Sequence, residues 1–138
     1  MIPWDKIFET KIPLIDNQHK RFLLKANLFY VKCKVNTSFQ ECEEDLSYLE
    51  KLLLSHFSEE EALQKELEYP QFHHHQASHD RLRSITREVG SHLRASSFSN
   101  ESLQEFYHCV ETFVKDHLVY DDMKFARYYQ EKTKIGSS

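Results

Sequence analysis

Five histidines and two carboxylates recur along this 138-residue chain at spacings suited to holding metal ions. His56 precedes Glu60 by four residues and His75 precedes His79 by four, so each pair leaves one face of a helix. Imidazole suits zinc, copper, iron and nickel, whereas a carboxylate can bridge two ions. We therefore predict a buried two-metal site, for which the candidate ligands are His19, His56, Glu60, His75, His79, His117 and either Asp121 or Asp122.

The segments that carry these residues read as helices. Apolar residues recur every three or four positions in four segments, and the chain has only two glycines and three prolines. Asp16, Ser38 and Asn100 are candidate N-caps, and Tyr69-Pro70 marks a break. Short connections between four long helices predict an all-α fold, an up-down-up-down four-helix bundle.

A single histidine on an apolar stripe is more often a hydrogen-bonded core residue than a ligand, since burying it without a partner costs about 1–3 kcal/mol. Seven such residues spread over four stripes have no reason to converge unless they share a centre. Other residues fit no ligand spacing and are expected to be solvated: His73, His74, His92, His108, Glu59 and Glu61.

Length and composition indicate one domain over residues 1–138, with residues 1–15 as an arm packed on the bundle and 123–138 as a C-terminal extension or linker. A net charge of −4 argues against nucleic acid as a partner. The longest apolar runs are too short to cross a membrane, so we expect a cytoplasmic protein with reduced cysteines.

The motifs around the candidate ligands resemble those of the hemerythrins, in particular the bacteriohemerythrins. They are DNQHKRFLL, HFSEEEAL, YPQFHHHQASH and HLVYDD, and the opening IPWDKIFETKIPLID is similar to the N-terminal arm of that family. The likeness covers nearly the whole chain. Lys11 departs from it, because many relatives have glycine there.

This resemblance implies a non-haem centre of two iron ions joined by an oxo or hydroxo bridge. His75, His79 and His117 would hold one iron and His19 and His56 the other, with Glu60 and Asp122 bridging both. The second iron would then keep an open position for O2. Because Asp122 stands five residues after His117 rather than four, we expect a local helix distortion there. By the same resemblance, the apolar wall of the O2 pocket would consist of Phe22, Phe113, Leu118 and Val119.

The leading functional interpretation is reversible O2 binding without catalysis, in an oxygen carrier or storage protein or in an O2 or redox sensor. No catalytic residue is assigned. The alternatives are a di-iron oxidase or peroxidase in the same bundle and a structural zinc protein. Besides O2, an output domain and further copies of the chain stay open as partners.

Overall fold

A computed structural model of the chain describes residues 2–35 and 38–137, with side chains up to residue 134. The outermost residues of the predicted arm and extension, Met1 and Ser138, lie outside the described residues, as do Asn36 and Thr37. A 3₁₀ turn (Lys6–Phe8) precedes the long helices. These are α1 (Pro13–Lys34), α2 (Phe39–Glu66), α3 (Phe72–Ala95), α4 (Asn100–Thr112), a π segment (Phe113–Asp122) and α5 (Met123–Ser137).

The helices form the predicted four-helix bundle. α4, the π segment and α5 follow one another without a break, so together they form the fourth helix of the bundle. Each of these four long helical units is called a rod below. Both α2 and α4 pack against α1, and both also pack against α3. This closed ring of neighbours confirms the all-α up-down-up-down architecture. In the described parts of the chain, no helix combines the length and the apolar character that a membrane span needs.

The predicted helix starts are right in one case of three. Ser38 caps α2, and its side chain accepts a hydrogen bond from the Glu41 amide. For α4 the cap is Ser99 instead of Asn100, which is the first residue of the helix. The Asp16 prediction is wrong because α1 already begins at Pro13, and proline suits a first helical turn where no N–H is needed.

Asp16 instead fastens the arm to α1. Its Oδ1 accepts hydrogen bonds from the Thr10 amide and the Thr10 hydroxyl, both at 2.8 Å, and its Oδ2 accepts one from the Lys11 amide at 3.0 Å. The chain turns sharply at this point, and Lys11 has a left-handed φ of 63°. Many members of the family that the sequence resembles have glycine at this position, and glycine adopts such a φ without steric cost.

The arm packs along the bundle as predicted. The backbone of Ile2 exchanges two hydrogen bonds with the Asn27 side chain on α1, and Phe8 is buried against the edge of the Trp4 ring. Ile7 and Leu14 are exposed, so only part of the apolar surface of the arm contributes to this packing.

Two hydrophobic clusters fill the bundle. The smaller one contains Ile12, Ile15, Tyr69 and Phe125 and lies at the end where α2 and α3 are joined. The larger one fills the opposite part of the bundle and includes fully buried residues of each rod. Along the chain the candidate ligands fall between residues of the two clusters. A polar layer therefore interrupts the apolar core.

We expect Lys11→Gly to stabilise the protein. A left-handed backbone costs a non-glycine residue about 1–2 kcal/mol, and the greater freedom of glycine in the unfolded chain offsets part of the gain. The free energy of unfolding in urea should therefore rise by roughly 0.5–1 kcal/mol. Lys11→Ala is the matched control, because it removes the same side chain but keeps Cβ. A gain of equal size in both variants would contradict the backbone explanation.

Candidate metal centre

Each rod of the bundle contributes to one buried polar layer. Its seven side chains, none more than 3% exposed, are His19 on α1, His56 and Glu60 on α2, His75 and His79 on α3, and His117 and Asp122 on the π segment. The one-turn spacing within α2 and α3 aims both members of each pair inwards, as the sequence predicted.

The predicted distortion of the fourth rod is confirmed by the π segment. Backbone hydrogen bonds in a π-helix join residues five apart, so His117 and Asp122 share a face. Asp121 lies outside the layer: it accepts a hydrogen bond from the Ser78 hydroxyl at 3.0 Å, and its Oδ2 lies 3.3 Å from His117 Nδ1. The π geometry therefore selects Asp122 over Asp121 as a member of the layer.

Three histidines converge in one half of the layer. The Nε2 atom of His117 lies 3.0 Å from Nε2 of His79 and 3.4 Å from Nε2 of His75. Glu60 Oε1 is 3.0 Å from the Nε2 atoms of both His75 and His79. All of these donor atoms, together with one from Asp122, lie close enough to hold a single metal ion.

The other half contains two histidines. The Nε2 atoms of His19 and His56 are 3.0 Å apart, and His19 Nε2 is 3.1 Å from Asp122 Oδ2. The second carboxylate oxygen, Asp122 Oδ1, lies 3.1 Å from Nε2 of His75 and of His117. Asp122 therefore faces both halves, one oxygen to each, which is the arrangement of a bridging carboxylate.

The layer fits metal ions better than a hydrogen-bond network. Histidine nitrogens approach the carboxylate oxygens of Glu60 and Asp122 closely, but among the described residues none of these oxygens has a partner in hydrogen-bonding geometry. Buried carboxylate oxygens without partners are rare and costly in folded proteins. The histidine nitrogens and carboxylate oxygens point their lone pairs at shared positions instead of at hydrogen-bond donors. Metal ions in those positions would require this arrangement.

The electrostatics of the layer favour cations. Burial by itself would lower the pKa of His75 and of His117, but the carboxylates of Asp122 and Glu60 outweigh it and raise these pKa values to about 9 and about 10. Burial and the charge of Asp122 would raise the pKa of Glu60, yet the imidazoles of His75 and His79 beside it bring the pKa down to about 2. The carboxylates thus stay ionised, and metal ions would replace the histidine protons.

Glu61 does not behave as the solvated charge that the sequence suggested. Its Oε2 lies 2.7 Å from Nδ1 of His79 and accepts a hydrogen bond from Arg83 at 2.8 Å. A carboxylate on the outer nitrogen fixes the ring of a metal-binding histidine and raises its basicity. No local spacing links residues 61 and 79, so sequence reasoning had no signal for this contact. Glu59 is exposed as expected and accepts a hydrogen bond from Gln18.

Two glutamines orient further histidines. Gln18 Oε1 lies 2.7 Å from Nδ1 of His56, and the amide of Gln64 lies 2.9 Å from Nδ1 of His75. An amide can present either its oxygen or its nitrogen, so each glutamine can accept the outer N–H of its histidine. The sequence does carry signals for them, because Gln64 follows Glu60 by one helical turn and Gln18 directly precedes His19.

The four residues predicted to wall the O2 pocket differ in their surroundings. Phe113 stacks on His117 with ring centroids 5.5 Å apart, and Phe22 meets Phe113 edge-on at 5.7 Å. Leu118 is fully buried, whereas Val119 is half-buried against the larger cluster.

Phe57 is an aromatic neighbour that the sequence reasoning missed. It is fully buried and stacks on His79 with centroids 4.5 Å apart. Its position directly after His56 was an available signal. The four histidines expected to be solvated are indeed exposed, namely His73, His74, His92 and His108.

Comparison with known proteins matches most of the chain to one family of sequences. The model of the family described as Hemerythrin HHE cation binding domain matches residues 10–129. A bacteriohemerythrin of Campylobacter jejuni subsp. jejuni serotype O:2 is 28% identical over 130 residues, covering 94% of this chain and 96% of that protein. A bacteriohemerythrin of Clostridium acetobutylicum is 26% identical, covering 91% of this chain and 98% of that protein.

Adjacent histidines on α3 offer a matched test of the layer. We expect His75→Ala to lose at least one metal ion per chain, because its Nε2 faces the shared donor atoms. His74→Ala should keep the full metal content, since that side chain is exposed. Metal analysis of the purified variants measures both. Equal loss in the two variants would contradict the placement of α3.

Proposed function

The chain belongs to the hemerythrin family, and from this we propose that it holds two iron ions in the buried layer and binds O2 reversibly without catalysing a reaction. The observation that carries the proposal is the asymmetric donor set, in which three histidines and Glu60 face one position, two histidines face the other, and Asp122 is shared between them. Two iron ions in these positions would supply the electrons that O2 takes up on binding and returns on release.

Residues divide between the two irons according to the halves of the layer. His75, His79 and His117 would hold one ion and His19 and His56 the other. Glu60 and Asp122 would bridge both. Support for Glu60 as a bridge comes from its Oε2 atom, which is buried and has no hydrogen-bond partner in the described part of the chain.

The imbalance in donors gives the two positions different roles. The first ion would be held by three histidine nitrogens, from His75, His79 and His117, and by the two carboxylates. The second ion would have one histidine nitrogen fewer and would therefore keep a position open on the side of His19 and His56. These two residues would then define where O2 arrives.

Several features of the surroundings favour binding over catalysis. Glu61 and Asp121, two acids just outside the layer, contact the outer nitrogens of His79 and His117. They therefore lie on the three-histidine side, away from the open position. Phe22 and Phe113 contribute apolar surface that limits the access of water and acids. An oxidase or peroxidase would need an acid or base beside the open position.

We also propose that residues 1–138 form one hemerythrin-like domain, whose last helix can report the state of the irons. Phe125 on α5 is fully buried beside Tyr69, and the Tyr128 hydroxyl donates a hydrogen bond to the Leu67 carbonyl at 2.6 Å. Because α5 follows Asp122 without a break, a shift of that carboxylate would move the start of α5.

The central test is metal analysis with an absorption spectrum under anaerobic conditions. We expect two irons per chain, since seven ligands with two bridging carboxylates suit two ions. On addition of O2 to the reduced protein, a visible charge-transfer band should appear, and it should fade when O2 is removed. A purified protein with zinc and no such band would contradict the O2 proposal and favour a structural site.

An oxygen carrier and a sensor domain would use α5 differently, because only the sensor needs α5 to transmit the state of the irons. If α5 transmits the iron state, amide hydrogen exchange between Met123 and Lys134 should differ between the reduced and the O2-exposed protein. Amides of α1 distant from the layer, such as those near Tyr30, serve as the internal control. Identical protection of α5 in all states would favour the carrier.

A further inference from the structure

An apolar cavity of about 70 Å³ lies within the larger hydrophobic part of the bundle. Side chains of all four rods line it, among them Phe22, Leu49, Val89 and Val110. This volume is several times the roughly 10–15 Å³ that one water-sized molecule needs. The cavity is therefore large enough for a small ligand.

The polar groups at the edge of the cavity are already paired. The carboxylate of Glu50 accepts a hydrogen bond from Arg94 at 2.6 Å, and the Thr86 hydroxyl donates one to the Leu82 carbonyl at 2.7 Å. A buried water usually makes about three hydrogen bonds. Because the walls offer so few free partners, a small apolar molecule suits this space better than water does.

One wall of the cavity separates it from the metal layer. Phe113 lines the cavity with Phe22 and also stacks on His117, a member of the layer. A molecule in the cavity would therefore be a single aromatic ring away from a candidate ligand. This proximity connects the cavity to the chemistry of the layer.

An adjoining wall, which also includes Phe113, leads towards the surface between α3 and α4. A larger pocket of about 280 Å³ lies on that side, and it shares Leu82, Ile85, Cys109 and Phe113 with the cavity. Ile85 is 41% exposed and Cys109 is half-buried. Burial, together with nearby glutamates, raises the pKa of the Cys109 thiol, so this small side chain stays uncharged at neutral pH.

We propose that this cavity is a binding site for a small apolar gas molecule, which enters and leaves between Ile85 and Cys109. The identity of the gas as O2 rests on the proposed function, whereas the existence of the site does not. The cavity would hold O2 close to the layer before it passes the Phe22–Phe113 pair.

Xenon is the probe for the site itself. Crystals of the metal-loaded protein, pressurised with xenon, should show an anomalous peak inside the cavity between Leu49, Val89 and Val110. Xenon bound elsewhere, with none in the cavity, would overturn the site. This measurement does not depend on O2 binding, so it decides the site even if the chain takes up no O2.

Substitutions at Cys109 test the route. Cys109→Phe should slow O2 association with the reduced iron protein by roughly tenfold, which corresponds to about 1.4 kcal/mol in the barrier. Cys109→Ala should widen the passage and speed association, and it provides the test if the larger side chain impairs folding. His108→Phe, at an exposed neighbouring position, is the matched control and should leave the rate unchanged. Parental rates in both Cys109 variants would overturn the route.

Discussion

Two carboxylates buried in the middle of a helix bundle impose the main constraint on this structure. Glu60 and Asp122 are each 1% exposed, and an ionised carboxylate so far from water needs compensating positive charge. The five surrounding histidines can supply it as protons or by holding metal ions. Hydrophobic clusters on both sides keep water away from the carboxylates, so water cannot take the place of this positive charge. The polar layer and the apolar core therefore depend on each other.

The π segment is the backbone feature that places Asp122 among these histidines. On a regular α-helix the residue one turn after His117 would be Asp121, and Asp122 would point away from the layer. Hydrogen bonds of the i to i+5 type turn Asp122 inwards and leave Asp121 beside His117 Nδ1 and the Ser78 hydroxyl. Two adjacent aspartates thereby take different environments. This agrees with the tendency of π-helical turns to occur at functional sites.

Short-range spacing explains what the sequence could predict. The bundle and the inward pairs on α2 and α3 follow from intervals of three and four residues. The distortion before Asp122 was predicted from the family resemblance, because spacing alone favoured Asp121. Contacts between distant segments could not be read in this way, and Glu61 on His79 is the clearest case. Competition between local signals explains the rest: Asp16 is a favourable cap residue, but Pro13 starts α1 earlier and frees the Asp16 carboxylate to bind the turn at Lys11.

The outer nitrogens of the histidines reveal a second asymmetry in the layer. Gln18, Gln64, Glu61 and Asp121 each lie against Nδ1 of a different histidine. Within the described residues, Nδ1 of His19 is buried without a partner. The orientation of this ring is therefore set from inside the layer, by Asp122 Oδ2 at 3.1 Å and by the His56 ring at 4.5 Å. Because an outer hydrogen bond helps to fix a histidine ring, His19 is less firmly oriented from outside the layer than the other four histidines.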